Sequence, residues 1–223
     1  VGINIEPPPP DLAAFLRSRE ITTVFDVGAN TGQFAASLRK KGYRGRIVSF
    51  EPVEESFRQL QARAARDPNW TTYNLALGEK ACQATINVSA ASDFSSLLPQ
   101  RHAATKHAAH AANVRTECIA VAPLDDFFAR FEAERCFLKI DAQGYERQII
   151  AGAKHAMRSI FGVQMELPVI HIYQDVWTLS HAIDHMAALG FVICQVEPVS
   201  YHSLDRCAVV ELDCIFRRRG ALD

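Results

Sequence analysis

Val24-Phe25-Asp26-Val27-Gly28-Ala29-Asn30-Thr31-Gly32 decides the fold. The apolar run 22–27 is short, as in a strand buried on both faces. It breaks at Gly28 into a glycine turn, after which the pattern predicts an amphipathic helix over 31–41. A second apolar run, Arg46-Ile47-Val48-Ser49-Phe50, ends on Glu51. A tight strand-to-helix turn lets backbone amides approach a ligand closely. An acid at the tip of the next strand can accept hydrogen bonds from both hydroxyls of a ribose. Together they predict a site for a nucleoside cofactor.

The dinucleotide fingerprint G-x-G-x-x-G sets a pyrophosphate on a helix N-terminus. Here the spacing is Asp26-x-Gly28-x-x-x-Gly32, with no third glycine. It resembles motif I of S-adenosylmethionine (AdoMet) methyltransferases. AdoMet carries an ammonium and a sulfonium but no phosphate, and an acidic turn suits both. The plain alternative is a tight turn in some other α/β protein. Strand, glycines and downstream acid together weigh against it.

Outward from this centre, strands alternate with helices. Strands are predicted at 22–27, 46–50, 70–75, 136–140 and 162–167. Helices are predicted at 31–41, 53–66, from Pro123, at 144–157 and at 175–189. The strands 191–196 and 206–216 follow with no helix between them and suit an antiparallel hairpin. The expected fold is therefore α/β and Rossmann-like: a doubly wound, seven-stranded, mostly parallel sheet with one antiparallel edge hairpin. Two further short strands are expected at 82–89 and 114–121. Pro7 to Pro10 form a stiff leader, and Asp11 caps a helix through Arg19.

The 223 residues suit one α/β domain, over 21–223, behind a leader and helix at 1–20 and with an insert at about 90–113. With 24 basic and 25 acidic residues the chain is near neutral, which argues against a nucleic-acid surface. Arg217-Arg218-Arg219 reads as a solvated end. No apolar run approaches the ~20 residues that cross a bilayer, and no signal peptide is seen, so a cytoplasmic location is expected. The six cysteines form no C-x-x-C, and most sit in apolar runs. They read as reduced core thiols rather than a zinc site or a disulfide frame.

Five segments then occur in order: Asp26 to Gly32, Phe50-Glu51-Pro52, Asn74 to Gly78, Leu124-Asp125-Asp126, and Lys139-Ile140-Asp141-x-Gln143-Gly144-Tyr145-Glu146. Together they resemble the FkbM family of AdoMet-dependent O-methyltransferases, over roughly residues 20–200. The resemblance implies methyl transfer to a hydroxyl of a small acceptor, a sugar of a glycoside or glycolipid or a natural product. It implies AdoMet contacts at Asp26, Gly28, Asn30 and Gly32, with Glu51 on the ribose. Ala76 and Leu77 fall where the adenine is met, with Asn74 two residues before as the alternative.

An alcohol is a poor nucleophile while protonated, and a nearby base contributes roughly 10²–10⁴ to such a reaction. Asp141, ending the strand 136–140, is the first candidate, and Glu166, ending the strand 162–167, is the second. His171 follows in a loop and titrates near neutrality when unperturbed. The bland alternatives are a helix cap for Asp141, an ion pair with Lys139 for Glu166 and an ordinary loop histidine for His171. Asp141 and Glu166 also raise a magnesium site, but two carboxylates are few for one, and no metal is assigned. Ser95, Ser96 and Tyr173 are candidate substrate contacts, and Trp177 could wall a pocket or pack a helix. His102, His107 and His110 lie in an alanine-rich stretch that reads as a lid rather than a metal site. The rivals are an NAD-linked oxidoreductase and a catalytically idle cofactor-binding module. Partners are a small-molecule acceptor, with no nucleic acid and no membrane span; the oligomeric state stays open.

Overall fold

The computed structural model describes residues 11–89, 95–98, 113–131, 134–170, 176–202 and 204–220. The chain enters through helix α1 (Leu12–Ser18), capped by the Asp11 carboxylate, which accepts from Ala14 N at 2.9 Å. Strand β1 (Thr23–Val27), helix α2 (Gln33–Lys40), β2 (Arg46–Phe50), α3 (Glu54–Ala64) and β3 (Trp70–Tyr73) then wind outward to one edge. After two short strands, β4 (Ala76–Leu77) and β5 (Cys82–Ser89), and the longer β6 (Asn113–Ala122), the chain crosses back. It continues through α4 (Asp125–Phe128), β7 (Cys136–Ile140), α5 (Glu146–Ala151), β8 (Ile160–Pro168), α6 (Leu179–Ala188), β9 (Phe191–Tyr201) and β10 (Val209–Arg218).

The seven-stranded sheet runs β3-β2-β1-β7-β8-β10-β9. Five strands are parallel, and β10 lies antiparallel between β8 and β9, as the missing helix between the last two strands predicts. Winding reverses between β1 and β7, where Val27 pairs with Ile140, so a crevice opens at their carboxyl ends. β1 is buried throughout because helices cover both faces. Val24, Ile47 and Phe137 pack with α1 and α2, while Phe25, Val48 and Leu138 face the cluster that holds Phe128 and Ile149. Burying each such side chain stabilises the fold by about 1.5–3 kcal/mol.

Tertiary contacts revise several boundaries. The helix expected from 31 begins at Gln33, because Asn30 (φ 47°) and Gly32 (φ 87°) are left-handed. The strand expected to reach 75 stops at Tyr73: the Asn74 amide donates to the Glu51 and Pro52 carbonyls, and the chain turns into β4. The helix expected over 144–157 is cut at Gly152, where a Cβ would lie 1.9 Å from Gly78 O. A short 3-10 turn, Ala156–Arg158, follows, with its entry amides held by Asp125. β9 and β10 extend to Tyr201 and Arg218 as a longer hairpin than expected, with β10 starting only at Val209 after a turn closed by Ala208 N on Asp205 O.

β5 and β6 do not join the main sheet. They pair with each other and with β4 in a second sheet, whose core is Val53, Ala76, Ile86, Val88, Ile119 and Val121. All six cysteines are free, but only Cys136 and Cys214 are buried; the other four lie on strands or turns left open to solvent. No helix among the described residues is long and apolar enough to cross a membrane. The Pro7–Pro10 leader lies outside the described residues, as does the expected insert apart from 95–98 and 113.

Candidate functional site

A cavity of about 290 Å³ opens at the carboxyl ends of β1, β2, β7 and β8, the lower end of the roughly 300–1,000 Å³ of small-molecule pockets. Its floor is the glycine turn. Gly28 has φ 69°, and a Cβ there would lie 1.7 Å from Asp141 O, so only glycine lets the ends of β1 and β7 close up. Gly28 N and Ala29 N donate to Phe50 O at 3.1 and 3.0 Å, which ties the turn to β2.

Glu51 lines the cavity and is buried. One carboxylate oxygen accepts from Asn30 N at 2.8 Å, the other from Val53 N at 2.9 Å. Burial pushes its pKa up to about 7, against the pull of those two amides. Each oxygen keeps lone pairs for further donors. Ala76 and Leu77 line the same wall, while Asn74 is committed to the Glu51 and Pro52 carbonyls. Of the two readings of the adenine contact, only Ala76 and Leu77 reach the cavity.

Asp26 and Gly32 do not line the cavity. Asp26 is fully buried beneath the turn, where it accepts from Ser49 Oγ at 3.1 Å and lies 3.3 Å from Lys139 Nζ. Ser49 Oγ in turn accepts from Trp70 Nε1 at 2.9 Å. Burial raises the Asp26 pKa and Lys139 opposes the rise. Gly32 is a packing position, since a Cβ would lie 2.9 Å from Leu60 and 3.1 Å from Trp70. The contacts expected of both belong instead to the support of the turn, because the chain passes over them.

Lys139 is the hinge pin of this arrangement. Its Nζ lies 3.3 Å from Asp26 Oδ1 and 3.4 Å from Asp141 Oδ2, and it donates to Gly28 O at 3.1 Å. Burial presses its pKa down, but the Asp141 and Asp26 charges outweigh burial and hold it above the ordinary range. The alternative pairing of Glu166 with Lys139 is not formed: the lysine Nζ lies by Asp26 and Asp141 instead. Nor does Asp141 cap the next helix. The N-cap of α5 is Tyr145, and the loop amides Ala142 N and Gly144 N go to the buried Glu146 carboxylate.

Asp141 and Glu166 meet through Gln143, whose Nε2 donates to Asp141 Oδ1 at 3.2 Å and to Glu166 Oε1 at 3.5 Å. Gln143 has φ 50°, a left-handed conformation that costs a non-glycine residue about 1–2 kcal/mol. Burial, reinforced by Asp141, Glu211 and Asp213, pushes the Glu166 pKa up to about 9. The raised pKa favours the neutral form of the carboxyl pair Glu166 and Glu211. Gln143 stands inside the distinctive motif, and its role is a miss of the sequence reading. Glu211 and Asp213 are another: two acids at alternate positions of an otherwise apolar strand were the available signal.

Ser95 and Ser96 both line the cavity. Ser96 Oγ donates to Gln143 O at 2.7 Å and accepts from Leu98 N at 3.0 Å, so it anchors this segment over the motif loop. Trp177 is buried and its ring lies 4.9 Å from that of His185, which is helix packing. His171, Tyr173, His102, His107 and His110 lie outside the described residues. Among the described residues no group of three or more His, Cys, Asp or Glu is placed to hold a metal.

The family model described as the Methyltransferase FkbM domain matches residues 26–193. Among solved structures, the chain is similar to a methyltransferase FkbM from Methylobacillus flagellatus KT, at 19% identity and TM-score 0.53. The match covers 89% of this chain and 44% of that one, so this chain spans less than half the length of that relative. An rRNA methylase from Streptococcus thermophilus is similar at 9% identity and TM-score 0.51, over 98% of this chain and 100% of the other. A putative S-adenosylmethionine dependent methyltransferase from Listeria monocytogenes is similar at 8% identity and TM-score 0.50, over 92% and 98%. At these identities the likenesses establish a common fold. No curated protein matches the chain.

Proposed function

Because the chain belongs to the family of the Methyltransferase FkbM domain, we propose that it methylates a hydroxyl oxygen of a small acceptor, a sugar or a natural product, with AdoMet as donor. The observation that carries this reading is the pairing of two unlike walls in one cavity. On one wall the Glu51 carboxylate faces inward; on the other stands the set Lys139–Asp141–Gln143–Glu166.

The residues present fit the cofactor. Glu51, with lone pairs left on both oxygens, would take the ribose hydroxyls. Gly28, Ala29 and Asn30 would meet the amino-acid tail, and Ala76 and Leu77 the adenine. Asp26 and Asp141 outnumber Lys139, which leaves this corner negative for a cationic cofactor. When bound, the cofactor supplies a methyl carbon activated by its sulfonium.

The chain's own residues do the rest. Asp141 takes the acceptor's hydroxyl proton; Lys139 holds that carboxylate in place from behind, and Gln143 from the side. Glu166, whose pKa is pushed up by burial and the neighbouring acids, is better suited to donate a hydrogen bond than to act as a second base. Positioning a hydroxyl at ~3–3.5 Å from the methyl carbon accounts for much of the rate of such a transfer. The acids flanking the site disfavour a phosphate backbone, which supports a small acceptor over a nucleic acid.

The test is calorimetry of the purified chain with S-adenosylhomocysteine, with NAD⁺ as control. Micromolar binding of the first and silence from the second is expected. Heat from NAD⁺ alone would replace the reading with an oxidoreductase. With an acceptor in hand, Asp141→Asn should lower kcat by about 10²–10⁴.

A further inference from the structure

With 24 basic and 25 acidic residues the chain is close to neutral, yet the fold sorts its charges end to end. Strands β1, β2, β7 and β8 run parallel, so their amino ends lie together. Antiparallel β10 finishes at the same end, with Arg217 opposite Gly162. The carboxyl ends hold the cavity and its acids, Glu51, Asp141, Glu166 and Asp213. The amino ends hold arginines. Arg17 and Arg19 stand at the end of α1, Arg135 before β7, Arg158 before β8, and Arg217 and Arg219 at the end of β10. Of the nearby acids among the described residues, Glu134 is paired with Arg46 at 2.7 Å, and Glu20, next to Arg19, is outnumbered.

Local structure builds this end. The run Arg217-Arg218-Arg219, which the sequence reads as a solvated end, is divided by strand alternation. Arg218 turns inward: its Nε donates to Ile160 O at 2.8 Å and its guanidinium lies 4.6 Å over the Phe191 ring. Arg219 is exposed, and its N donates to Gly190 O at 2.9 Å, which sets it beside the exposed Leu189. A bulge opens β8: Cys136 pairs with Ile160 and Phe137 with Gly162, so Phe161 is the extra residue. Its ring packs on the α1 side of the sheet. The Arg135 guanidinium lies 3.8 Å over that ring, and its Nε donates to Arg19 O at 2.7 Å. That contact uses one of five N–H groups. Arg17, Arg19, Arg135, Arg158 and Arg219 form no ion pair among the described residues.

These arginines stand at the ends of β1, β7, β8 and β10, which are neighbours in the sheet. At roughly 4.8 Å per strand they spread over about 15 Å. Uncompensated cations so placed repel one another and attract an anionic partner. Spread along the end of a sheet, with Phe161 and Leu189 among them, they match a plane of headgroups better than the phosphate track of a nucleic acid, which a basic groove follows. We propose that this arginine end docks the protein on an anionic lipid surface, with the cofactor cavity, at the opposite end of the strands, left open to water. Docking needs no cofactor, so it is measured apart from methyl transfer.

Vesicle co-sedimentation of the full chain tests it. One set of vesicles mixes phosphatidylcholine with phosphatidylserine, and the other is phosphatidylcholine alone. At low salt the chain should sediment with the first and not the second, and release as salt rises, because the attraction fades within a Debye length of about 10 Å at 0.1 M. Each arginine near such a surface strengthens binding about fivefold, so Arg17→Glu with Arg19→Glu should weaken it roughly 25-fold or more. Arg158→Glu with Arg219→Glu, from the other side of the patch, should do the same, with a thermal melt showing each variant folded. Lys80→Glu with Arg115→Glu makes the same change in net charge on the second sheet and should cost less than threefold. The proposal is overturned if phosphatidylserine draws down no protein at low salt, if plain phosphatidylcholine serves as well, if both folded arginine variants keep the wild-type affinity, or if the control pair loses as much as they do. Binding to an RNA oligomer without binding to either vesicle would assign the patch to nucleic acid and overturn it as well.

Discussion

Glu51 offers a sharp test, because its environment sets both the strength and the pH dependence of cofactor binding. Its carboxylate accepts Asn30 N and Val53 N and faces the cavity, yet burial lifts its pKa to about 7. The two ribose hydroxyls need acceptors, so the ionised form binds. Apparent affinity for S-adenosylhomocysteine should then be level above pH 8 and fall about tenfold per pH unit below pH 7, following the loss of the ionised fraction. Glu51→Gln removes the charge. A hydrogen bond to a charged group contributes about 1.5–3 kcal/mol and a neutral one about 0.5–1.5, so two bonds lose roughly 2 kcal/mol, about 30-fold in Kd at pH 8. The new amide nitrogen must also face Asn30 N or Val53 N, donor against donor, which adds to the loss. Glu146 also titrates near 7, but it is unchanged in the variant, so the difference between the two profiles isolates Glu51. Calorimetry from pH 5.5 to 8.5 reads both. A wild-type affinity that does not change over that range, or a variant with the wild-type slope, refutes the reasoning.

Three further outcomes follow from the same geometry. Gly28→Ala forces an L-residue into φ 69° with its Cβ 1.7 Å from Asp141 O. The left-handed cost of about 1–2 kcal/mol plus the clash should lower Tm by roughly 6–12 °C in a thermal melt. Lys139→Met strands the buried Asp26 and should destabilise the fold by about 3–5 kcal/mol; adding Asp26→Asn should recover part of that, and simple additivity in a denaturant cycle would count against the ion pair. Glu51, Glu146 and Glu166 all have raised pKa values, to about 7, 7 and 9, so the folded state keeps protons that the unfolded chain has released. Stability therefore falls as pH rises from about 4.5 towards 9. Glu166→Gln should flatten the segment between pH 7 and 9, and a Tm profile unaltered by that change would exclude the raised pKa.

Much of the fold was legible because periodicity and glycine placement act locally. The strand-turn-helix around Gly28, the acid after β2 and the absent helix between β9 and β10 are all short-range patterns. What escaped depends on distant segments. The helix after β7 stops at Gly152 because Gly78, far back along the chain, lies against it. Asp26 reads as a ligand contact from its place in the motif. Lys139, one strand away, and Ser49, on the other flank, turn it into a buried support. Gln143 sat in view within the motif, yet nothing in its spacing says that its amide bridges Asp141 and Glu166.

By itself, the sequence determined the architecture, the family resemblance and the position of the crevice, since alternating strands and helices with a switch of direction leave few topologies. The tertiary structure alone decided how the two candidate acids differ. Asp141 and Glu166 are the same kind of carboxyl group, each at the end of a strand. One stands beside Lys139; the other lies among Asp141, Glu211 and Asp213, which with burial push its pKa up. Desolvation and neighbouring charge set that difference, and both come from strands β8 and β10 being brought together across 40 residues and more of intervening chain.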